Sequence, residues 1–311
     1  MTHRLVERLP VDAQLYLSFV STTCRSSIES ESVNHNGRSM GTRRRRRTAG
    51  DNATAAVYLH GIESHAGWFD LSAPLLVKQD IDVFALDRRG SGLNRGLKHH
   101  PDGHANSIDE VLSDVKSLVE SLRSDYERVI LIGLSWGGKP ALTLAIRRPD
   151  LVDGLILITP GLKALVDVPA ATKLKILTQS ILMPRGKTTI PIQPEMFTTT
   201  PQHLGFIKKD PLRLHQATAK FFMVSRAFES EIDATIERLS VPTLLILAGK
   251  DQIIDNESVQ GLLERSASNQ VSTLIYDDQT HSIQFDAPER LTTDIGLWWK
   301  PVAGQENERE S

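Results

Sequence analysis

The sequence predicts an α/β fold, a mostly parallel, doubly wound sheet with a helical lid inserted between two core strands. Three observations predict this class. Six short runs are apolar at consecutive positions, which is typical of strands buried on both faces of a parallel sheet. Helical patterns separate several of these runs. The alternation is interrupted once, by the long interval between Pro160 and Val241.

The predicted core strands are rich in Val, Ile and Leu, and most of them end at Gly, Asp or Pro. They occupy residues 55–59, 81–86, 129–132, 155–158, 243–247 and 272–276. Residues 108–122 place their apolar side chains three or four positions apart, as on one stripe of a helix. Ser107 and Glu110 at its start fit a capping box, which satisfies backbone amides of the first turn.

Residues 161–240 form the predicted lid. We find no convincing strand pattern there, but 214–239 repeat apolar side chains every three or four positions and predict one long amphipathic helix. Insertions of this length are either a small second domain or a lid, and we interpret this one as a lid. The core then consists of residues 53–160 and 241–300.

The two ends of the chain carry weaker patterns. Residues 12–20 alternate as a strand would, and residues 38–48 are their expected partner, so N-terminal strands are predicted within 1–52. The same region holds five consecutive arginines, Arg43 to Arg47. Such a run favours a solvated segment, with attraction to an anionic membrane or an acidic partner as the alternative. Residues 301–311 are expected to be a disordered tail.

Composition excludes several classes of protein. Of the 311 residues 40% are apolar, and 36 basic against 38 acidic side chains leave a formal charge of −2. These values argue against a disordered chain and against a nucleic-acid binder. Cys24 is the single cysteine, so no intramolecular disulfide can form. With neither a transmembrane run nor a secretory signal in the sequence, we expect a cytoplasmic protein, with peripheral membrane contact as an option.

A G-x-S-x-G motif at Gly133–Gly137 follows a predicted strand and precedes a predicted helix. In a nucleophile elbow, a serine occupies a strained turn of this kind. Ser135 needs a base, and that base needs an orienting acid. Asp251 and His281 each follow a predicted core strand, in the order Ser, Asp, His that this class uses. Asp255 is the rival for the acid.

With these residues, the chain resembles the α/β-hydrolase family of serine hydrolases. It is most similar to the monoacylglycerol lipases and lysophospholipases, which are classed with the S33 serine aminopeptidases. Tyr58–His65 resembles that group's H-G-x-G-x-H segment, and Asp87–Gly92 resembles its D-x-R-G-x-G turn. The resemblance implies an oxyanion hole formed by the amides of Ile62 and Trp136. An amide after the nucleophile and one in the loop after the first core parallel strand are also what the chemistry needs.

Two further side chains of the Tyr58–His65 segment have expected roles. His60 is expected to hold its loop by hydrogen bonding rather than to react. Glu63 replaces the second glycine of the segment, and we expect its side chain near the mouth of the site, where it would repel anions or bind a cationic group.

No cofactor or metal is predicted. The sequence lacks a phosphate-binding loop with its lysine and a dinucleotide fingerprint. One polar cluster, His99, His100, Asp102 and His104, could suggest a metal, but it has no cysteine or second acidic ligand. We interpret it as a solvated loop.

The sequence therefore predicts a serine hydrolase that cleaves a carboxylic ester with an apolar portion, such as a monoacylglycerol or a lysophospholipid, through an acyl-enzyme. An aminopeptidase or an acyltransferase on the same triad is the main alternative. For the aminopeptidase, acidic side chains in the lid region would hold the substrate amine, the candidates being Glu63, Glu195, Glu229 and Glu231. A non-catalytic ligand-binding module is the alternative from another class.

Overall fold

The computed structural model describes residues 29–35, 38–45, 54–96, 101–267 and 271–307. The strands are β1 Glu29–His35, β2 Arg38–Arg45, β3 Thr54–Leu59, β4 Ile81–Leu86, β5 Arg128–Leu134, β6 Gly154–Ile158, β7 Lys187–Thr189, β8 Gln216–Thr218, β9 Thr243–Ala248 and β10 Val271–Tyr276. The helices are α1 Ala73–Val77, α2 Ile108–Leu122, α3 Gly138–Arg147, α4 Ala170–Leu182, α5 Pro194–Phe197, α6 Pro201–Lys209, α7 Ala219–Thr235, α8 Asn256–Glu264, α9 Ile283–Asp286 and α10 Pro288–Asn307.

One sheet of eight strands has the order β1-β2-β4-β3-β5-β6-β9-β10. The six strands from β4 to β10 in that order pair in parallel, and they are the six that the sequence predicts. The predicted α/β-hydrolase fold is therefore confirmed. Because the strands are parallel, their carboxyl ends meet at one edge, where sheets of this type place their sites.

Helices cover both faces of the sheet. Ala55, Val57 and Leu59 belong to a core with the apolar faces of α2, α3, α7 and α8. Ala56 and Tyr58 point the other way, into a second core with α1 and α10. This alternation along β3 is what a strand buried on both faces produces. The edge strand β10 differs, because most of its residues are partly or fully exposed.

Residues 161–240, which we call the cap, contain α4 to α7 and a small two-stranded sheet. Sequence patterns had indicated no strand here, and that prediction is wrong, because β7 and β8 pair antiparallel. The long helix is also shorter than predicted. It begins at Ala219, since Thr218 ends β8 and caps the helix by accepting the Phe221 amide at 3.2 Å. A 3-10 turn follows the helix at Ile236–Arg238.

The helix α2 shows a modified capping box. Ser107 Oγ accepts the Glu110 amide at 3.1 Å, as predicted. The Glu110 carboxylate reaches one residue further back than a capping box requires and accepts the Asn106 amide at 3.0 Å.

The ends of the chain differ from the prediction. The partners of β2 are β1 and β4, so residues 29–35 take the place that we assigned to residues 12–20, which lie outside the described residues. Arg43, Arg44 and Arg45 belong to β2, and Arg46 and Arg47 lie outside the described residues. The prediction of a disordered tail is wrong for residues 301–307, because α10 continues to Asn307.

Candidate active site

The backbone at Ser135 is strained. Directly after β5, Ser135 has a φ of +52°, in the left-handed region that non-glycine residues rarely adopt. Its carbonyl oxygen accepts the Gly161 amide at 2.7 Å, and a 3-10 turn leads from it into α3. The G-x-S-x-G motif thus has the conformation of an elbow, with Ser135 at the carboxyl end of a central strand.

Glycines let this elbow approach the neighbouring strand β3. A Cβ on Gly137 would lie 2.0 Å from the Leu59 carbonyl oxygen, so that no other residue fits there. A Cβ on Gly61 would lie 3.2 Å from the Cβ of Ser135. The structure therefore brings the segment after β3, which contains Ile62, next to Ser135 and Trp136.

The structure joins Asp251 and His281. The two side chains are fully buried, and His281 Nδ1 lies 2.8 Å from Asp251 Oδ2. The other carboxylate oxygen, Oδ1, accepts the amides of Ile253 at 2.8 Å and Ile254 at 3.1 Å. Because three hydrogen bonds fix the carboxylate, it can hold the imidazole in one orientation. His281 Nε2 is buried, and it has no hydrogen-bond partner in the part of the chain that the structure describes.

Asp255, the rival for the acid, has a different environment. Its carboxylate caps α8, where Oδ1 accepts the Ser258 amide at 3.0 Å and Oδ2 accepts the Ser258 hydroxyl at 2.7 Å. Of the two aspartates, Asp251 is the one hydrogen-bonded to His281.

His60 holds the loop that follows β3, residues 60–72. Its Nε2 accepts the Arg88 amide at 3.2 Å, so the ring proton is on Nδ1, which lies 2.8 Å from the Gly61 carbonyl oxygen. Burial, together with the positive charge of Arg88, keeps the pKa of His60 well below its ordinary value. The ring is therefore neutral, and its hydrogen bonds agree with the structural role that we expected.

The expectation for Glu63 is wrong. Its side chain is buried and pairs with Arg213 of the cap, whose Nε and Nη2 donate to Oε2 at 2.8 and 2.5 Å. Burial raises the pKa of Glu63 to about 7, against the opposing effect of Arg213. The carboxylate is thus engaged inside the protein and does not lie free at the mouth of a site.

Asp210 of the cap makes a second connection to this loop. Its Oδ2 accepts Trp68 Nε1 at 2.6 Å and lies 3.1 Å from His65 Nε2. Sequence reasoning missed the roles of Asp210, Arg213 and Arg88. No motif contains the two cap residues, and Arg88 occupies the variable second position of the D-x-R-G-x-G turn.

The polar cluster proposed as a solvated loop is described in part. Asp102 accepts the Gly96 amide at 2.9 Å. His104 lies 2.9 Å from both Thr218 Oγ1 and Asn106 Oδ1. His99 and His100 lie outside the described residues.

Within the described ranges, no helix combines the length and apolar character that crossing a membrane requires.

Fold and geometry together define the class of protein, an α/β-hydrolase with a serine at the elbow. The model of the family described as serine aminopeptidase, S33, matches residues 50–288. The chain belongs to this family.

Individual relatives agree with this class. Human monoglyceride lipase is 26% identical over 248 residues, which is 77% of this chain and 80% of the relative. A phospholipase of Bacillus subtilis is 24% identical and covers 75% of this chain and 89% of the relative. The solved structure of a soluble variant of monoglyceride lipase from Saccharomyces cerevisiae has a TM-score of 0.78 at 16% identity, covering 89% of this chain and 97% of that one. The chain is a carboxylic ester hydrolase.

The contact at Gly137 predicts a sharp difference between two glycines. Gly137→Ala should destabilise the elbow and abolish ester hydrolysis, because the new methyl group would overlap the Leu59 carbonyl. Gly205→Ala in α6 meets nothing within 4 Å and should raise the free energy of unfolding by about 0.5–1 kcal/mol. Thermal denaturation and an esterase assay on both variants check this, and a fully active Gly137→Ala enzyme would contradict it.

Proposed function

We propose that Ser135, His281 and Asp251 are a catalytic triad that cleaves a lipid ester through an acyl-enzyme. The observation that carries the proposal is the buried Asp251–His281 pair. His281 Nδ1 binds the carboxylate, and His281 Nε2 has no hydrogen-bond partner among the described residues. An imidazole with Nδ1–H on a carboxylate and Nε2 unprotonated is ready to accept a proton from a serine hydroxyl.

In the first half of the reaction, Ser135 Oγ bonds to the ester carbonyl carbon while its proton passes to His281 Nε2. The carbonyl oxygen becomes an oxyanion, which the amides of Ile62 and Trp136 stabilise. As the bond to the leaving alcohol breaks, His281 returns the proton to that alcohol. In the second half, His281 takes a proton from water as the water oxygen attacks the acyl carbon. His281 then returns the proton to Ser135 Oγ as the bond to the acid breaks.

We infer that the substrate is a monoacylglycerol-like or lysophospholipid-like ester. Aromatic side chains flank the site, since Trp136 stacks on Phe221 with centroids 4.9 Å apart and Phe197 lies 5.8 Å from the His281 ring. Such rings suit an acyl chain. The names of the relatives, a monoglyceride lipase and a phospholipase, support the same substrate class.

The ion pairs of the candidate carboxylates favour an ester substrate over a peptide with a free amino group. An aminopeptidase needs a carboxylate that is available to the substrate ammonium group. Each of the four candidate carboxylates already pairs with a cation. These pairs are Glu63–Arg213, Glu195–Lys208, Glu229–Lys139 and Glu231–Arg147.

An exposed apolar face on α4 supports a lipid-bearing surface as the source of the substrate. The side chains that form this face are between 49% and 80% exposed, namely Leu174, Leu177, Ile181, Leu182 and Met183. Three exposed cations, Lys175, Arg185 and Lys187, lie on or next to the same helix. Burying each large apolar side chain in a bilayer interface contributes about 1.5–3 kcal/mol, and the cations attract anionic headgroups. We propose that this face contacts the membrane.

The triad is tested first at the nucleophile. A fluorophosphonate probe should label Ser135 in the folded enzyme. Ser135→Ala should abolish labelling and reduce kcat on a monoacylglycerol by about 10³-fold or more, with little change in melting temperature. Peptide mapping and steady-state kinetics measure both effects. Undiminished hydrolysis by Ser135→Ala would overturn the assignment.

Two aspartates four positions apart test the acid. Asp251→Asn should lower kcat by about 10²–10⁴-fold, because the amide cannot hold the productive tautomer of His281. Asp255→Asn is the matched control and should keep nearly full activity, since asparagine also caps a helix well. Steady-state kinetics at one pH, with melting curves for both variants, decide between them. Equal losses in the two variants would refute the assignment.

The membrane face is tested with the double variant Ile181→Ser, Leu182→Ser. We expect less of it than of wild type to sediment with vesicles of phosphatidylcholine and phosphatidylglycerol, because it loses apolar surface that wild type can bury. Hydrolysis of a short water-soluble ester should be unchanged. Leu297→Ser on α10 removes a leucine that is 65% exposed and serves as the control. Equal sedimentation of wild type and the double variant would exclude the contact.

A further inference from the structure

Arg88 contacts both residues whose amides the proposed mechanism uses as an oxyanion hole, Ile62 at its backbone and Trp136 at its ring. Its Nη1 donates to the Gly61 carbonyl oxygen at 2.6 Å, and its Nη2 donates to the Ile62 carbonyl oxygen. The same guanidinium lies over the Trp136 ring, 5.0 Å from its centroid. The catalytic scheme makes no use of this residue.

The contact with Gly61 acts on the oxyanion donor through the peptide bond. The Gly61 carbonyl and the Ile62 N–H belong to one planar unit, so fixing the oxygen fixes the direction of the N–H. A charged donor on the oxygen also polarises the unit, and such cooperativity strengthens the next hydrogen bond by roughly 10–30%. Arg88 can therefore both orient and strengthen the Ile62 amide without touching the substrate.

The surroundings of Arg88 hold it in this position. Asp87, its neighbour in the turn after β4, accepts the amides of Ala66 at 2.7 Å and Leu93 at 2.9 Å. The Phe221 ring of the cap makes a second aromatic contact with Arg88, with its centroid 5.2 Å from the guanidinium carbon. Burial lowers the pKa of Arg88 to about 9, with Asp87 opposing, so the side chain is still a cation at neutral pH. Its Nε is buried and has no hydrogen-bond partner among the described residues.

We propose that Arg88 is a positioning residue for the oxyanion hole, which it assembles by binding the Gly61 and Ile62 carbonyls and stacking on Trp136. The proposal rests on the proposed function, since it presumes that the Ile62 and Trp136 amides bind the oxyanion. Arg88 acts on the transition state through these amides, so its loss should affect kcat more than KM.

Adjacent arginines provide a matched pair of variants. Arg89 lies in the same turn, but its guanidinium binds Asp114 and Glu110. We expect Arg88→Ala to lower kcat on a monoacylglycerol by about 10–100-fold, the size of effect that small misplacement of catalytic groups produces, with less than about 3-fold change in KM. Arg89→Ala should leave kcat within about 2-fold of wild type, whatever it costs in stability.

Guanidinium rescue separates positioning from a purely structural role. Millimolar guanidinium chloride, far below denaturing concentrations, should restore a several-fold part of kcat in Arg88→Ala, where truncation leaves space for the ion, and none in Arg89→Ala. Arg88→Lys keeps the charge but not the two-pronged donor. Arg88→Lys should also have a lower kcat than wild type, and guanidinium should not raise it. If Arg88→Ala fails to melt cooperatively, the kcat of Arg88→Lys decides the test.

The outcomes are distinguishable. If wild type is labelled at Ser135 and turns over while Arg88→Ala and Arg88→Lys keep full kcat, the inference about Arg88 is wrong and the triad stands. Loss of kcat in Arg88→Ala without rescue would assign Arg88 a structural role and also overturn the inference. If wild type itself is neither labelled nor active on any ester, the proposed function fails first.

Discussion

The approach of the elbow to the end of β3 is the constraint on which the site depends. Gly137 has space for no Cβ, because the Leu59 carbonyl oxygen would lie 2.0 Å from it, and a Cβ on Gly61 would make a tight contact with the Ser135 Cβ at 3.2 Å. Two parallel strands that lie side by side end at the same edge, and small residues let the turns that follow them touch. The left-handed backbone of Ser135 is the strained element, and packing on all sides stabilises it.

The loop after β3 depends in turn on charges from other parts of the chain. Arg88 binds it from the turn after β4, and Arg213 and Asp210 bind it from the cap. On the other side of the site, the carboxylate of Asp251 accepts two amides of its own loop and so aligns His281. Ser135 is thus positioned by backbone geometry, whereas the groups around it are positioned by hydrogen bonds to charged side chains.

Sequence patterns predict the parts of this arrangement that depend on neighbours along the chain. The six central strands follow from consecutive apolar residues, and the elbow follows from five adjacent positions. The two-stranded sheet of β7 and β8 was missed, because three-residue strands carry no measurable periodicity. The pairing of Glu63 with Arg213 was missed for another reason. The two residues are 150 positions apart, and only the folded cap brings a cation to that carboxylate.

Buried ion pairs at the junction of cap and core are better explained by specificity than by stability. Desolvation consumes most of the attraction between buried charges, yet removing one partner leaves the other uncompensated. Lys139, directly after the elbow, is buried on Glu229 and Ser225 of α7, and Arg213 is buried on Glu63. Each pair is satisfied only while that part of the cap stays packed on the core, so we interpret the pairs as holding the two in alignment. The helix α4 lacks comparable buried pairs among the described residues and exposes its apolar side chains. The part of the cap that is paired with the core is therefore distinct from the part that we propose to contact a membrane.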